Sequence, residues 1–133
     1  MAHTAELIAV GTELLLGNIA NTDAQMLSKE LSALGINVFH HSVVGDNPQR
    51  LRAAVEVART RSDLIITTGG LGPTCDDLTK NVLAECFGKK LVFNREAALR
   101  MEAYFKKLHP ESGKMTENNY QQAYLPEGCV QRF

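Results

Sequence analysis

The sequence has 133 residues, a length typical of one domain and short for two. Residues of the set AVILMFWYC make up 44% and charged residues 22%, a balance that excludes an intrinsically disordered chain. Fourteen basic residues against fifteen acidic ones give a net charge of −1, so no overall positive field attracts nucleic acid or an anionic membrane.

The first predicted elements are a strand and a helix joined by an unusual loop. A short apolar run over 6–10 indicates a buried strand, and residues 11–17 follow it as a loop or broken turn. Leucines spaced at i, i+4 and i+7 predict a helix over 22–34, with Gly35 where a C-terminal cap belongs.

The next elements repeat this alternation. A strand is predicted over 38–44, and Asp46 or Asn47 can cap a helix that begins near Pro48. A third apolar strand over 64–68 runs directly into a cluster of glycines.

After the glycine cluster, a helix is predicted over about 77–87 and a short strand over 91–93. Asn94 caps a further helix, residues 116–124 form a short helix, and residues 126–128 form a turn into a last strand. Alternation of strands and helices with short connections predicts an α/β fold, with a mostly parallel sheet between helices on both faces.

Acidic residues follow three of the predicted strands. Ligands of parallel sheets bind beyond the carboxyl ends of the strands, where these loops meet. The topology therefore brings four carboxylates towards one rim of the sheet: Glu13, Asp46, Asp76 and Asp77.

The glycine loop is the strongest candidate for a binding site. Gly69, Gly70 and Gly72 permit positive φ angles and close approach of the backbone to a ligand. The helix that follows adds its N-terminal amides and dipole, which favours phosphate. No lysine follows the glycines as in a Walker loop, and the spacing is not G-x-G-x-x-G.

Two acids beside a phosphate site repel the phosphate unless a cation intervenes. Mg²⁺ commonly binds one or two carboxylates together with substrate phosphates, so Asp76 and Asp77 predict a divalent metal. Lys80, one turn into the helix, is a second candidate for neutralising this charge.

Each of these features also has a purely structural interpretation. Thr74-x-x-Asp77 resembles a capping box, and Asp46 can cap the helix that follows it. Glu13 can be a solvated loop charge, and a glycine cluster after a strand can be only a tight turn.

Four ordered motifs resemble the N-terminal domain of the competence/damage-inducible CinA family, part of the molybdopterin-binding superfamily. They are AVGTELLLG at 9–17, NT at 21–22, VGDN at 44–47 and TGGLGPTCDDLT at 68–79. The resemblance implies a three-layer α/β/α fold over residues 1–133 and a metal-dependent ADP-ribose pyrophosphatase activity. It also implies a homo-oligomer, a dimer or a trimer, and no organic cofactor.

Carried over by position, the family's acidic pair falls on Asp46 and Asp77. The implied phosphate-binding residues are Gly69, Gly70, Leu71, Gly72 and Thr74, with Lys80 nearby. Gly11, Thr12 and Glu13 would line the same cleft, and Glu13 and Asp76 would complete the metal ligands.

The sequence also departs from the family. Family members continue past the Pro-Glu-Gly turn into another strand and often carry an amidase domain, and neither is found in these 133 residues. Cys75 stands where a lysine or another polar residue is expected.

Three functions follow as hypotheses. The first is a Mg²⁺-dependent nucleotide pyrophosphatase acting on ADP-ribose or a relative. The second is a pterin- or nucleotide-binding module without turnover, and the third is a structural dimerisation domain of a larger protein. Three cysteines without a C-x-x-C pair favour reduced thiols and a cytoplasmic location.

Overall fold

The computed structural model of the chain describes residues 2–75 and 77–132. The strands within these residues are β1 (Thr4–Val10), β2 (Asn37–Val44), β3 (Leu64–Thr68), β4 (Leu91–Phe93) and β5 (Tyr124–Pro126). The helices are α1 (Thr12–Leu15), α2 (Thr22–Ala33), α3 (Pro48–Arg61), α4 (Thr79–Cys86), α5 (Arg95–Leu108) and α6 (Glu117–Tyr120), and a 3₁₀ turn covers Gln121–Ala123.

The central sheet is parallel and has the strand order β2-β1-β3. Val10 pairs with Val44 and Ala9 pairs with Thr68, so the three strands end at the same edge. The predicted parallel sheet is confirmed, and its register places the three following loops side by side.

Helices cover both faces of this sheet, as predicted. On one face, Leu7 of β1 packs in a buried cluster with Leu31 of α2. On the other face, Ile8 packs with Leu51 of α3 and Val82 of α4. Alternate residues of β1 therefore enter opposite layers, which is the expected consequence of a strand's two-residue period.

Three helices begin at asparagine caps. The side chains of Asn21, Asn47 and Asn94 accept from Ala24, Arg50 and Ala97 amides, respectively. Of the two residues predicted as possible caps of α3, Asn47 therefore caps the helix and Asp46 does not. Gly35 ends α2 with φ +74°, as predicted.

Several predictions of local structure are wrong. The loop predicted over 11–17 contains the short helix α1, and the last strand, β5, precedes the turn predicted over 126–128, whereas a strand is expected after it. The helix predicted over about 77–87 begins only at Thr79, because the Asp77 carboxylate turns back to Thr74. The helix predicted over 116–124 stops before Tyr124, which enters β5 and pairs with Phe93 of β4 in an antiparallel ribbon. The two rings meet edge-on at 5.4 Å, a cross-strand contact that favours the strand.

None of the helices in residues 2–75 and 77–132 combines the length and the apolar character needed to cross a membrane.

Candidate functional site

Three loops meet at the carboxyl edge of the central sheet. They follow β1, β2 and β3 and contain Gly11, Asp46 and Gly69, respectively. The Gly11 N–H donates to the Val44 carbonyl at 2.9 Å and so extends the pairing of β1 with β2. Because this amide already donates within the sheet, Gly11 has a structural role at the edge of the cleft.

Thr12 and Asp46 fasten the first two loops together. The Thr12 hydroxyl and amide donate to Asp46 Oδ2 at 2.9 and 3.3 Å, and the Asp46 amide donates back to Thr12 Oγ1 at 3.2 Å. Both residues are exposed, so the pair faces solvent at the rim. The two residues predicted to share a cleft are thus in direct contact.

The Glu13 carboxylate folds back over the Cα of Gly11. A Cβ at position 11 would lie 2.6 Å from Glu13 Oε1, so a larger residue there would require the Glu13 side chain to move. Glu13 is exposed and follows Thr12 in the first loop.

In the glycine loop, Asp77 acts as an internal anion. Its Oδ2 accepts from the Thr74 hydroxyl at 2.6 Å and from the Thr74 amide at 2.9 Å. The Thr74 hydroxyl, the Thr74 amide and the Gly72 amide lower the pKa of Asp77 below its ordinary value of 3.8. Because a Cβ on Gly72 would overlap this carboxylate, the glycine makes room for it.

The start of the loop is anchored on Thr79, the first residue of α4. The Thr79 hydroxyl donates to the Gly69 carbonyl at 2.8 Å, and its amide donates to the Gly70 carbonyl at 3.1 Å. Gly69 and Gly70 have φ angles of +84° and +65°, which L side chains rarely adopt. A Cβ at position 69 would overlap the Val10 carbonyl, so the turn is pressed against the end of β1.

Two further contacts come from the C-terminal part of the chain. The Gln122 side-chain amide donates to the Leu71 carbonyl at 3.1 Å. The Lys80 ammonium donates to the Gln121 carbonyl, and burial lowers the pKa of Lys80. Lys80 is therefore directed to the 3₁₀ turn, whereas Gln122 supports the glycine loop.

The structure gathers the predicted residues into two groups. One contains Gly11, Thr12, Glu13 and Asp46, and the other contains Gly69, Gly70, Leu71, Gly72, Thr74 and Asp77. No hydrogen bond joins the two groups in residues 2–75 and 77–132. Within the same residues, no three His, Cys, Asp or Glu side chains lie close enough to hold a metal ion. Asp76, also predicted as a ligand, lies outside the described residues.

Sequence reasoning missed the two residues that hold the loop carbonyls. Thr79 has a fully buried side chain, and its only local signal is a polar residue at a position facing the core. Gln122 lies 51 residues from its partner Leu71, and nothing in the local sequence indicates the contact.

The family model and the curated relatives that match this chain agree on one family. A family model described as "Probable molybdopterin binding domain" matches residues 6–131. A "Putative competence-damage inducible protein" from Acetivibrio thermocellus is 57% identical over 126 residues, which are 95% of this chain and 30% of the relative. A protein with the same name from Clostridium acetobutylicum is 52% identical over 125 residues, 94% of this chain and 30% of the relative. The chain thus spans about 30% of the length of these curated relatives.

Solved structures agree with this result. The crystal structure of the protein CinA from Thermoplasma acidophilum has a TM-score of 0.82 and 34% identity, covering 97% of this chain and 73% of that one. A tungsten cofactor synthesizing protein, MoaB, from Pyrococcus furiosus has a TM-score of 0.61 and 23% identity, covering 87% and 70% of the two chains. The second similarity shows the shared fold alone.

Proposed function

The chain belongs to the family of molybdopterin-binding domains and is of the CinA type, and from this premise we propose that it binds and hydrolyses a nucleotide pyrophosphate such as ADP-ribose. The glycine loop, residues 69–74, would hold the phosphates. Asp46 and Asp77 would supply the carboxylates, with Mg²⁺ as the divalent cation.

The observation that carries this proposal is the carboxylate already bound by the loop. The Thr74 amide and hydroxyl donate to Asp77, and the Gly72 amide also lowers its pKa. These donors surround a negatively charged oxygen, which is the chemistry that a phosphate oxygen requires. A phosphate entering the loop would take over or share these donors with Asp77.

The donor set fits a cation that arrives with the phosphates. Asp46 and Asp77 offer hard oxygen ligands, and Mg²⁺ commonly completes its shell with water and phosphate oxygens. Because the described residues contain no three-ligand cluster, the phosphates would contribute to the binding of the ion. Glu13, beside Thr12, is a further carboxylate for this role. A bound divalent cation supplies neutralising charge and polarises a phosphoryl oxygen.

The residues of the chain would act mainly by positioning. Backbone amides of the loop orient the phosphates, and a water molecule held near Asp46 or Asp77 attacks one phosphorus atom. The new P–O bond forms as the bridging P–O bond breaks, the departing phosphate leaves with the bridging oxygen, and the proton released by the attacking water passes to solvent. For ADP-ribose, the products would be AMP and ribose 5-phosphate.

Cleavage of ADP-ribose with and without Mg²⁺ tests the activity. The assay would be run on this chain and on a full-length relative, with Asp46→Asn, Asp77→Asn and the exposed Asp23→Asn as a matched control. Metal-dependent product formation that is lost in the first two variants and kept in Asp23→Asn supports the proposal. Absence of metal-dependent turnover in both proteins would refute it.

A second candidate is a pterin- or nucleotide-binding module without turnover. It is favoured by one observation: Asp46 and Asp77 already serve as hydrogen-bond acceptors for Thr12 and Thr74. Saturable binding of ADP-ribose or a pterin phosphate without any product would select this candidate over the hydrolase.

A third candidate is a structural dimerisation domain of a larger protein, consistent with the 30% share of the relatives that the chain spans. This role requires a homo-oligomer, a dimer or a trimer, which sedimentation equilibrium measures directly. It predicts that Asp77→Asn changes stability alone, by about 1 kcal/mol.

A further inference from the structure

Three consecutive carbonyl groups of the glycine loop are held from the protein side. The Gly69 carbonyl accepts from the Thr79 hydroxyl at 2.8 Å, and the Gly70 carbonyl accepts from the Thr79 amide at 3.1 Å. The Leu71 carbonyl accepts from the Gln122 side chain at 3.1 Å. A run of three anchored carbonyls fixes the orientation of the peptide planes that contain them.

The anchored carbonyls determine where the following amides point. In a trans peptide, the C=O of one residue and the N–H of the next are directed to opposite sides, and no described peptide is cis. The N–H groups of Gly70, Leu71 and Gly72 are therefore directed away from Thr79 and Gln122. Gly72 contributes to lowering the pKa of Asp77, whereas the other two amides have no hydrogen-bond partner among the described residues.

Thr79 fits this task closely. Its side chain is fully buried, so its hydroxyl has no solvent to exchange with and stays on the Gly69 carbonyl. A Cβ on Gly70 would overlap the Thr79 hydroxyl, which shows how tightly the loop lies on the first turn of α4. Loss of this hydroxyl would leave the Gly69 carbonyl without its donor and would remove the restraint on the orientation of this peptide plane.

We propose that Thr79, assisted by Gln122, is a positioning residue for the oxyanion site formed by the amides of Gly70, Leu71 and Gly72. This inference rests on the proposed function, because it assumes that these amides receive a phosphate. Neither side chain needs to touch the ligand. Thr79 acts by binding the carbonyls of residues 69 and 70, which directs the amides of residues 70 and 71 away from α4.

The test combines binding with a direct measurement of amide orientation. ADP-ribose and inorganic pyrophosphate, each with Mg²⁺, are titrated into the wild type and the variants Thr79→Val, Thr79→Ser and Gln122→Leu. Residual dipolar couplings of the Gly70, Leu71 and Gly72 amides are recorded on the same proteins without ligand. Val82→Ala, a buried change in the same helix, is the matched control for a loss of stability.

We expect Thr79→Val to weaken binding about tenfold and to change the couplings of the Gly70 and Leu71 amides. Thr79→Ser, which keeps the hydroxyl, should keep the affinity and these couplings at their wild-type values. Gln122→Leu should weaken binding less and change the coupling of the Gly72 amide, the one that follows the Leu71 carbonyl. Val82→Ala should leave affinity and couplings unchanged. If Thr79→Val does not fold, the Gln122→Leu variant decides, since unchanged affinity and couplings in it overturn the proposal.

The failures of this inference and of the proposed function are distinguishable. Wild-type binding that Thr79→Val leaves intact overturns the positioning role and leaves the function standing. No binding of either probe by the wild type overturns the proposed function. The positioning role of Thr79 is then tested by the couplings alone. Couplings that place the Gly70 and Leu71 amides towards Thr79, or that do not change in Thr79→Val, overturn it.

Discussion

Asp77 places its carboxylate on the amide and the hydroxyl of Thr74, at 2.9 and 2.6 Å, inside the loop that is proposed to hold phosphate. The loop is therefore an oxyanion-binding structure whose ligand is one of its own side chains. A phosphate that enters must compete with this carboxylate, so Asp77 has two opposing effects on the site. It occupies donors in the free protein, and it is a candidate ligand for the cation in the bound state.

Asp77→Asn separates these two effects. Hydrogen bonds to a charged group contribute about 1.5–3 kcal/mol against about 1 kcal/mol for neutral ones, so the amide competes less strongly with phosphate. We expect metal-free pyrophosphate to bind about fivefold more tightly to the variant, measured by calorimetry, and Mg²⁺-dependent cleavage of ADP-ribose to fall. The control Asp23→Asn, in the first turn of α2, should change neither. Weaker pyrophosphate binding to Asp77→Asn would argue against competition.

Gly69→Ala tests how closely the turn lies against the sheet. The new Cβ would meet the Val10 carbonyl and would also occupy a φ of +84°. Gly35→Ala is the matched control, because Gly35 has φ +74° and open space around its Cα. We expect Gly35→Ala to cost about 1 kcal/mol and Gly69→Ala at least 2 kcal/mol more in chemical denaturation. Equal losses would mean that the loop moves away from β1 without difficulty.

The ion pair of Glu6 with Arg61 should make the stability of the fold sensitive to acid. Glu6 is 1% exposed within β1, and Arg61 holds it with hydrogen bonds of 2.7 and 2.9 Å. This contact lowers the pKa of Glu6, with a smaller contribution from the charge of His40. A lowered pKa contributes stability that is present above the ordinary value of 4.5 and is lost as the pH falls through the folded value. Urea midpoints measured against pH should therefore fall below about pH 4.5.

Replacing one partner of this ion pair should cost more stability than replacing the other. Arg61→Met leaves a buried carboxylate without its cation, whereas Glu6→Gln leaves a guanidinium whose side chain is 37% exposed. We expect Arg61→Met to lower the urea midpoint at pH 7 more than Glu6→Gln does. In Arg61→Met, burial dominates and raises the pKa of Glu6, so stability should increase as the pH falls towards it. The opposite order of the two variants would show that Glu6 finds another partner.

Thr12→Val removes the hydroxyl that both donates to Asp46 and accepts from its amide. Because the pair is exposed, we expect a loss of about 1 kcal/mol and faster hydrogen exchange at the Asp46 amide. Thr12→Ser should behave as the wild type. Thr60→Val, which removes an exposed hydroxyl bonded to the Val57 carbonyl, is the control and should leave exchange at Asp46 unchanged.

Local patterns were sufficient for the framework of the fold. The third strand is predicted at its observed bounds, 64–68, because an apolar β-branched run is followed directly by a cluster of glycines. Asn94 was predicted as a cap because asparagine before an apolar periodic segment provides an acceptor for the orphan amides. Both signals lie within a few residues of the feature that they indicate.

Contacts distant along the chain could not be predicted. Tyr124 entered a strand because Phe93 lies opposite to it, 31 positions earlier, and the local sequence reads equally well as helix. The link from Gln122 to Leu71 and the shared hydrogen bonds of Thr12 and Asp46 arise only once the sheet register is set. The sequence pattern places the predicted acids at one edge and indicates the contact of Asp77 with Thr74 through its resemblance to a capping box. It does not indicate that Asp46 binds Thr12 of the neighbouring loop.

The most direct test of the central claim is a crystal structure of the protein with ADP-ribose and Mg²⁺. The account predicts a phosphate group on the amides of Gly70, Leu71 and Gly72, with Asp77 displaced from Thr74 or sharing its donors. It also predicts a cation between the phosphates and Asp46 or Asp77. Phosphates bound away from residues 69–74, with the Asp77–Thr74 hydrogen bonds intact, would contradict it.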